Sequence, residues 1–83
     1  MKRVTYTATA VKDLRRMGAV EQKRVVAKIK QYAVDPGSLA SNVKKLQGSD
    51  YLRLRVADWR VIFSEDMQVI LIVRVRHRKE AYR

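Results

Sequence analysis

Midway along this chain the spacing of apolar residues changes, and that change limits the folds open to it. Between Ala19 and Val34, residues Val25, Val26, Ile29, Tyr32 and Ala33 recur at helical spacing, with Lys23, Lys28 and Lys30 largely off the stripe. After Asn42 the period is two. Val43–Leu46, Leu52–Val56, Trp59–Ser64 and Val69–Arg76 read as strands, parted by Gly48-Ser49-Asp50, Ala57-Asp58 and Glu65-Asp66. Ahead of the long helix, Arg3 to Thr7 alternates and is β-branched, which predicts a short first strand. Thr9 is the expected N-cap of a short helix carrying Val11, Leu14 and Met17, and Gly18 its expected stop. Asp35-Pro36-Gly37-Ser38 ends the second helix, and the polar stretch to Asn42 is the longest irregular connection. Strand, helix, helix and strand meander is an α+β order, in which a helical pair covers one face of a small, largely antiparallel sheet. At 83 residues the chain is expected to form one domain, residues 1–83, around one core.

Charge narrows the choice of partner. A net charge of +11 draws the protein to polyanions, either nucleic acid or an acidic protein. A membrane surface fits less well, because the cations are spread through both halves and no apolar run reaches the roughly 20 residues of a spanning helix. Met1-Lys2-Arg3 leads into Val4-Thr5-Tyr6-Thr7, too short and polar for a secretory h-region. The absence of cysteine removes disulfide and thiolate chemistry and fits a reducing compartment, so cytoplasm is the default.

Within the meander, Leu52, Leu54 and Val56 should face the helices while Arg53 and Arg55 face the other way. Two arginines at i and i+2 suit bidentate contact with phosphate oxygens, although alternating charge is also what any half-buried strand shows. A tight hairpin would bring Arg60 near Arg55, a pairing that costs sheet stability unless Asp58, Glu65 or Asp66 neutralises it. Trp59 reads as core with its indole nitrogen near the edge, or as a platform for a base. The last ten residues, Arg74 to Arg83, hold the sole histidine amid dense positive charge. An unbroken pleat would put Arg74, Arg76 and Arg78 on one side and Val73, Val75 and His77 on the other. A basic run of this kind turns readily into a loop, and the expectation is that the pleat stops short, so that His77 and Arg76 can both face the basic surface. Glu80 is expected to pair locally with Arg76, Arg78 or Arg83. Tyr82 either closes the core edge or aims its phenol at the site.

The chain resembles the RelE/ParE superfamily of toxins from prokaryotic toxin–antitoxin pairs. The likeness runs through Thr9 to Met17, Asp35-Pro36, Lys45 to Tyr51, Leu52 to Phe63 and His77 to Tyr82, and the middle and C-terminal blocks are the specific ones. It implies the small α+β toxin fold, a cognate acidic antitoxin that wraps the toxin, operator DNA contacted through that complex alone, and, in the RelE branch, cleavage of messenger RNA in the ribosomal A site. The implied reaction needs neither metal nor cofactor. A ribose 2′-hydroxyl attacks the adjacent phosphate, leaving a cyclic phosphate and a free 5′-hydroxyl. Such chemistry needs a base, cations around a doubly charged phosphorane and an acid for the departing oxygen.

Carried onto this sequence, the resemblance implies that Arg55, Arg60 and Arg76 clamp phosphate and that Arg53 holds the RNA backbone. His77 or Tyr82 would move protons, and Tyr82 could instead stack on the target base. Arg78, Lys79, Lys44 and Lys45 would add RNA contacts. Some relatives carry lysines on the paired strand positions where this chain has arginines. Guanidinium does not give up its proton in a protein, so His77 becomes the substitute base. The competing readings are a ParE-like gyrase poison and an inactive basic module that binds nucleic acid or antitoxin. Fold alone does not separate these.

Overall fold

The helical stripe of Ala19–Val34 forms as the spacing predicts, and its partner surface is a sheet assembled from both ends of the chain. The computed structural model describes residues 1–81, with side chains as far as Lys79. Its elements are β1 (Arg3–Tyr6), α1 (Ala8–Arg15), α2 (Ala19–Val34), a 3₁₀ segment (Pro36–Asn42), β2 (Val43–Lys45), β3 (Leu52–Val56), β4 (Trp59–Glu65), β5 (Val69–His77) and α3 (Arg78–Ala81). The strands form one sheet in the order β1-β5-β4-β3-β2, with β1 parallel to β5 and the other pairs antiparallel. Among the described residues no helix is long and apolar enough to cross a membrane.

Both helices lie on one face. Leu14, Val25, Ile29 and Tyr32 meet Leu54, Val61, Phe63, Ile70 and Ile72 in one core, where the Tyr32 and Phe63 rings pack edge to face at 5.1 Å. Tyr32 donates its phenol to Glu65 Oε1 at 2.6 Å, and Lys2 pairs with Glu65 Oε2 at 2.9 Å. Burial and the Glu65 carboxylate hold that phenol well above its ordinary range, so it stays a donor at any working pH. Trp59 is half-buried against the core and donates its indole N–H to Glu21 Oε2 at 2.7 Å, tying β4 to the first turn of α2. This is the core reading of Trp59, with the indole nitrogen at the edge.

Some expectations need correction. The N-cap of α1 is Thr7, not Thr9: its Oγ1 accepts from the Ala10 N–H at 3.1 Å, and β1 accordingly ends at Tyr6. Gly18 is not the stop of α1, which ends at Arg15 with Arg16 as its C-cap. With φ −62° and ψ 154° the glycine is extended and opens α2. The stretch after Pro36 is wound rather than irregular, with Leu39 pinned in the core. The last strand does not stop short of His77. It runs through that residue and is followed by a helical turn at Arg78 rather than by a loop.

Two tight turns set the meander. Val56 pairs with Trp59, so Ala57-Asp58 is a two-residue hairpin loop, and Ala57 takes the left-handed conformation at φ 52°. In the β4–β5 turn, Asp66 Oδ1 accepts from the Gln68 and Val69 amides, each at 2.7 Å, and these bonds lower the Asp66 pKa. Ala57→Gly removes the left-handed penalty and should raise the urea unfolding free energy by about 0.5–1 kcal/mol. The stability that Asp66 contributes is complete above its ordinary pKa of 3.8 and is lost as pH falls through the lowered folded-state value. Asp66→Asn should therefore flatten the acid limb of a plot of urea midpoint against pH.

Candidate nucleic-acid interface

The sheet face turned away from the helices carries the arginines in register. Arg55 on β3 pairs with Arg60 on β4, which pairs with Arg76 on β5. Paired residues on neighbouring strands share a face with Cβ atoms about 5 Å apart, so three arginine side chains leave the sheet in one row. One step along, Lys44, Arg53, Ile62 and Arg74 make a second row.

A bulge puts Arg74 and Arg76 there. Ile62 pairs with Arg74 but Phe63 with Ile72, leaving Val73 as an extra residue. Before it the even positions Ile70 and Ile72 are buried, and after it the odd position Val75 is. Without the bulge, Arg74 and Arg76 would face the core. The edge of β5 at this point has outrun β1, whose pairing ends at Tyr6 and Ile72. Side chains complete it instead. Thr7 donates Oγ1–H to the Val73 carbonyl at 2.8 Å, and Asp13 of α1 accepts from the Val75 N–H at 2.9 Å. Asp13, its side chain 9% exposed, also pairs with Arg74 at 3.0 Å.

Arg60 is the centre of the row and only 7% exposed. Its Nη1 donates to the carbonyls of Ala57 and Trp59 at 3.3 and 3.2 Å, so the guanidinium curls against its own hairpin. The expected acidic neutralisers are used elsewhere. Asp58 stands 3.9 Å from exposed Arg78, Glu65 holds Lys2 and Tyr32, and Asp66 caps its turn. Arg53 and Arg60 divide two clefts. The first, of about 270 Å³, is lined by these two with Ser41, Asn42, Lys44 and Arg55. The second, of about 290 Å³, adds Leu46, Ile62, Arg74 and Arg76 to the shared pair.

Other predicted site residues fall elsewhere. Because β5 continues to His77, the imidazole pairs across the ladder with Trp59 on the helix side of the sheet, packing against the indole edge to face at 5.1 Å. His77 is therefore turned away from the arginine row, contrary to the expectation that it joins Arg76 there, and its Nδ1 accepts the Lys79 N–H at 3.2 Å. Lys44 faces the cleft, while Lys45, paired with Leu52, points to the opposite face at the sheet edge. Arg78 and Lys79 are exposed on α3, where the Arg78 N–H donates to the Asp58 carbonyl at 2.7 Å. Tyr82 and the expected pairing of Glu80 lie outside the described residues and side chains. Ser41, Asn42 and Asp13 were missed by sequence reasoning. The signal for Asn42 is an amide at the last position before the period changes to two; Asp13 gives none beyond being the single carboxylate of α1.

A family model described as the ParE toxin of the type II toxin–antitoxin system, parDE, matches residues 4–82. The chain belongs to the RelE/ParE toxin family. It is 31% identical to Toxin RelE3 of Methanocaldococcus jannaschii, the match covering 96% of this chain and 94% of that protein. Among solved structures, this RelE/ParE member is similar to the RelB–RelE antitoxin–toxin complex of Methanococcus jannaschii, with a TM-score of 0.74 and 28% identity over 93% of each chain. The archaeal RelE–RelB complex of Pyrococcus horikoshii OT3 gives a TM-score of 0.78 at 28% identity, covering 93% of this chain and 94% of that one.

Removing Asp13 leaves the buried edge amide of Val75 without its acceptor and takes a carboxylate from Arg74, so Asp13→Ala should lower the unfolding free energy by about 1–3 kcal/mol. Asp13→Asn keeps an acceptor for Val75 and should cost less. Urea titrations of the pair check the order.

Proposed function

We propose that this RelE/ParE toxin is an endoribonuclease that cuts messenger RNA in the ribosomal A site and so stops translation. The observation that carries the reading is the register-aligned row of Arg55, Arg60 and Arg76 on an open sheet face. A row of like charges opposite one another costs roughly 0.2–1 kcal/mol per pair, and the cost is recovered when an anion lies across it.

In this reading the scissile phosphate sits on the row. The ribose 2′-oxygen attacks phosphorus while the bond to the 5′-oxygen breaks, giving a cyclic phosphate and a 5′-hydroxyl. Guanidinium stays charged, so the three arginines hold the phosphate in line and stabilise the extra negative charge of the phosphorane. Arg60, fixed by its hairpin carbonyls, does this without reorganising. Arg53 and Lys44 hold the adjoining backbone, with Arg78 and Lys79 contributing outer contacts and Lys45, on the opposite face, making none. Proton transfer falls to Tyr82 rather than to His77, whose ring is on the helix side and supports Trp59. The partner is an acidic antitoxin, as RelB is to RelE in the related complexes, and operator DNA is met through that assembly. A gyrase-poisoning activity is the second reading, favoured by the ParE description of the matching family.

Expression should halt translation, with primer extension on a chosen transcript showing cuts within ribosome-bound codons. Arg55→Ala and Arg76→Ala should each lower cutting about 100-fold or more with the domain still folded. Arg60→Lys should also lose cutting, because an ammonium does not reproduce the fork. Tyr82→Phe should slow cutting, and His77→Gln should leave it nearly intact. Intact messenger RNA alongside gyrase-linked DNA breaks would decide for the ParE-like activity.

A further inference from the structure

Resting on that reading, the two clefts beside Arg60 differ in chemistry, and the difference assigns them different work. Both abut Arg53 and Arg60, so a phosphate held on the arginine row has one cleft on either side. The first adds a hydroxyl and a carboxamide, from Ser41 and Asn42. The second adds Arg74 and Arg76 together with the aliphatic side chains of Leu46 and Ile62.

Asn42 is held in one orientation. Its Nδ2 donates to the Arg55 carbonyl at 3.4 Å, and its Oδ1 accepts from Ser41 Oγ at 3.3 Å. A carboxamide has two N–H donors and two acceptor lone pairs, so one of each remains for a ligand. That pair matches a base edge presenting one acceptor and one donor in the complementary order, and it disfavours a base with the order reversed. Because Nδ2 is anchored to the carbonyl of Arg55 itself, the base-reading group is indexed to the phosphate clamp through one residue. The second cleft has no such pair, because its four arginines only donate and are engaged with the phosphate backbone or, for Arg74, with Asp13. Leu46 and Ile62 give a neighbouring base apolar contact, which every base face accepts.

We propose that the Ser41–Asn42 cleft is a base-reading subsite for one nucleotide next to the cut, and that the Leu46–Ile62 cleft seats the nucleotide across the phosphate without reading it. Asn42 is then a specificity-determining residue, and Leu46 a general RNA contact.

The test is primer extension over a panel of transcripts, with wild type, Asn42→Ala, Asn42→Gln and Leu46→Ala expressed as full chains. Asn42→Ala should relax the base preference at one position beside the cut by about fivefold or more, chiefly by lowering cutting at the preferred base. Asn42→Gln keeps the amide but displaces it by a methylene, and should shift the preferred base rather than abolish preference. Leu46→Ala should weaken all cuts alike and leave the sequence profile unchanged. A wild-type profile retained in both Asn42 variants, or a uniform drop at every site in them, overturns the proposal while leaving the endoribonuclease reading in place. No cutting by wild type overturns both.

Discussion

The edge of β5 beyond Ile72 is the constraint on which the open face depends. An unpaired strand edge leaves amides and carbonyls to be satisfied, and β1 is too short to reach them. Thr7 and Asp13 supply the missing partners from side chains, Thr7 while also capping α1. Because these contacts are point-like rather than a ladder, the strand can carry an extra residue at Val73, and that residue reverses which side chains point to solvent. Arg74 and Arg76 reach the open face as a result. A helix cap, a bulge and the arginine row are thus one connected piece of geometry.

The cationic row has a cost that the fold offsets locally. Arg60 is almost fully covered, which would be prohibitive for an isolated charge, yet it is stabilised by two carbonyls of the hairpin that carries it. One of those carbonyls belongs to Ala57, a residue in the left-handed region. Backbone strain in the turn and a buried cation beside it occur at the same place, as is common where a site must be held rigid.

Much of this was legible in advance, for identifiable reasons. The bounds of α2 followed from its apolar stripe and the proline after it, and those of β3 from the two-residue turn that pins its register to β4. The pairing of Arg55 with Arg60 followed from that same turn. What was not legible depends on partners distant in sequence. Thr9 is the expected cap, and it is the Val73 carbonyl, 66 residues along the chain, that holds Thr7 in that position instead. The bulge leaves no mark in Val69 to His77, where an unbroken pleat fits the composition equally well. The placement of His77 turned on whether the strand went on, and Trp59 across the ladder gives it a surface to go on along. Asn42 escaped notice because its role arises from a carbonyl on β3.

The parallel pairing of β1 with β5 joins the first strand of the chain to the last. Synthesis runs from the N-terminus, so β1 waits for a partner made after the other strands, and Lys2 waits for Glu65. Neither Thr7 nor Asp13 has its acceptor or donor on β5 until then. The nascent chain consequently holds most of its arginines without holding them in a row. On the proposed ribonuclease reading, that timing acts as a built-in delay: the surface that would meet RNA is assembled only once β5 has been made.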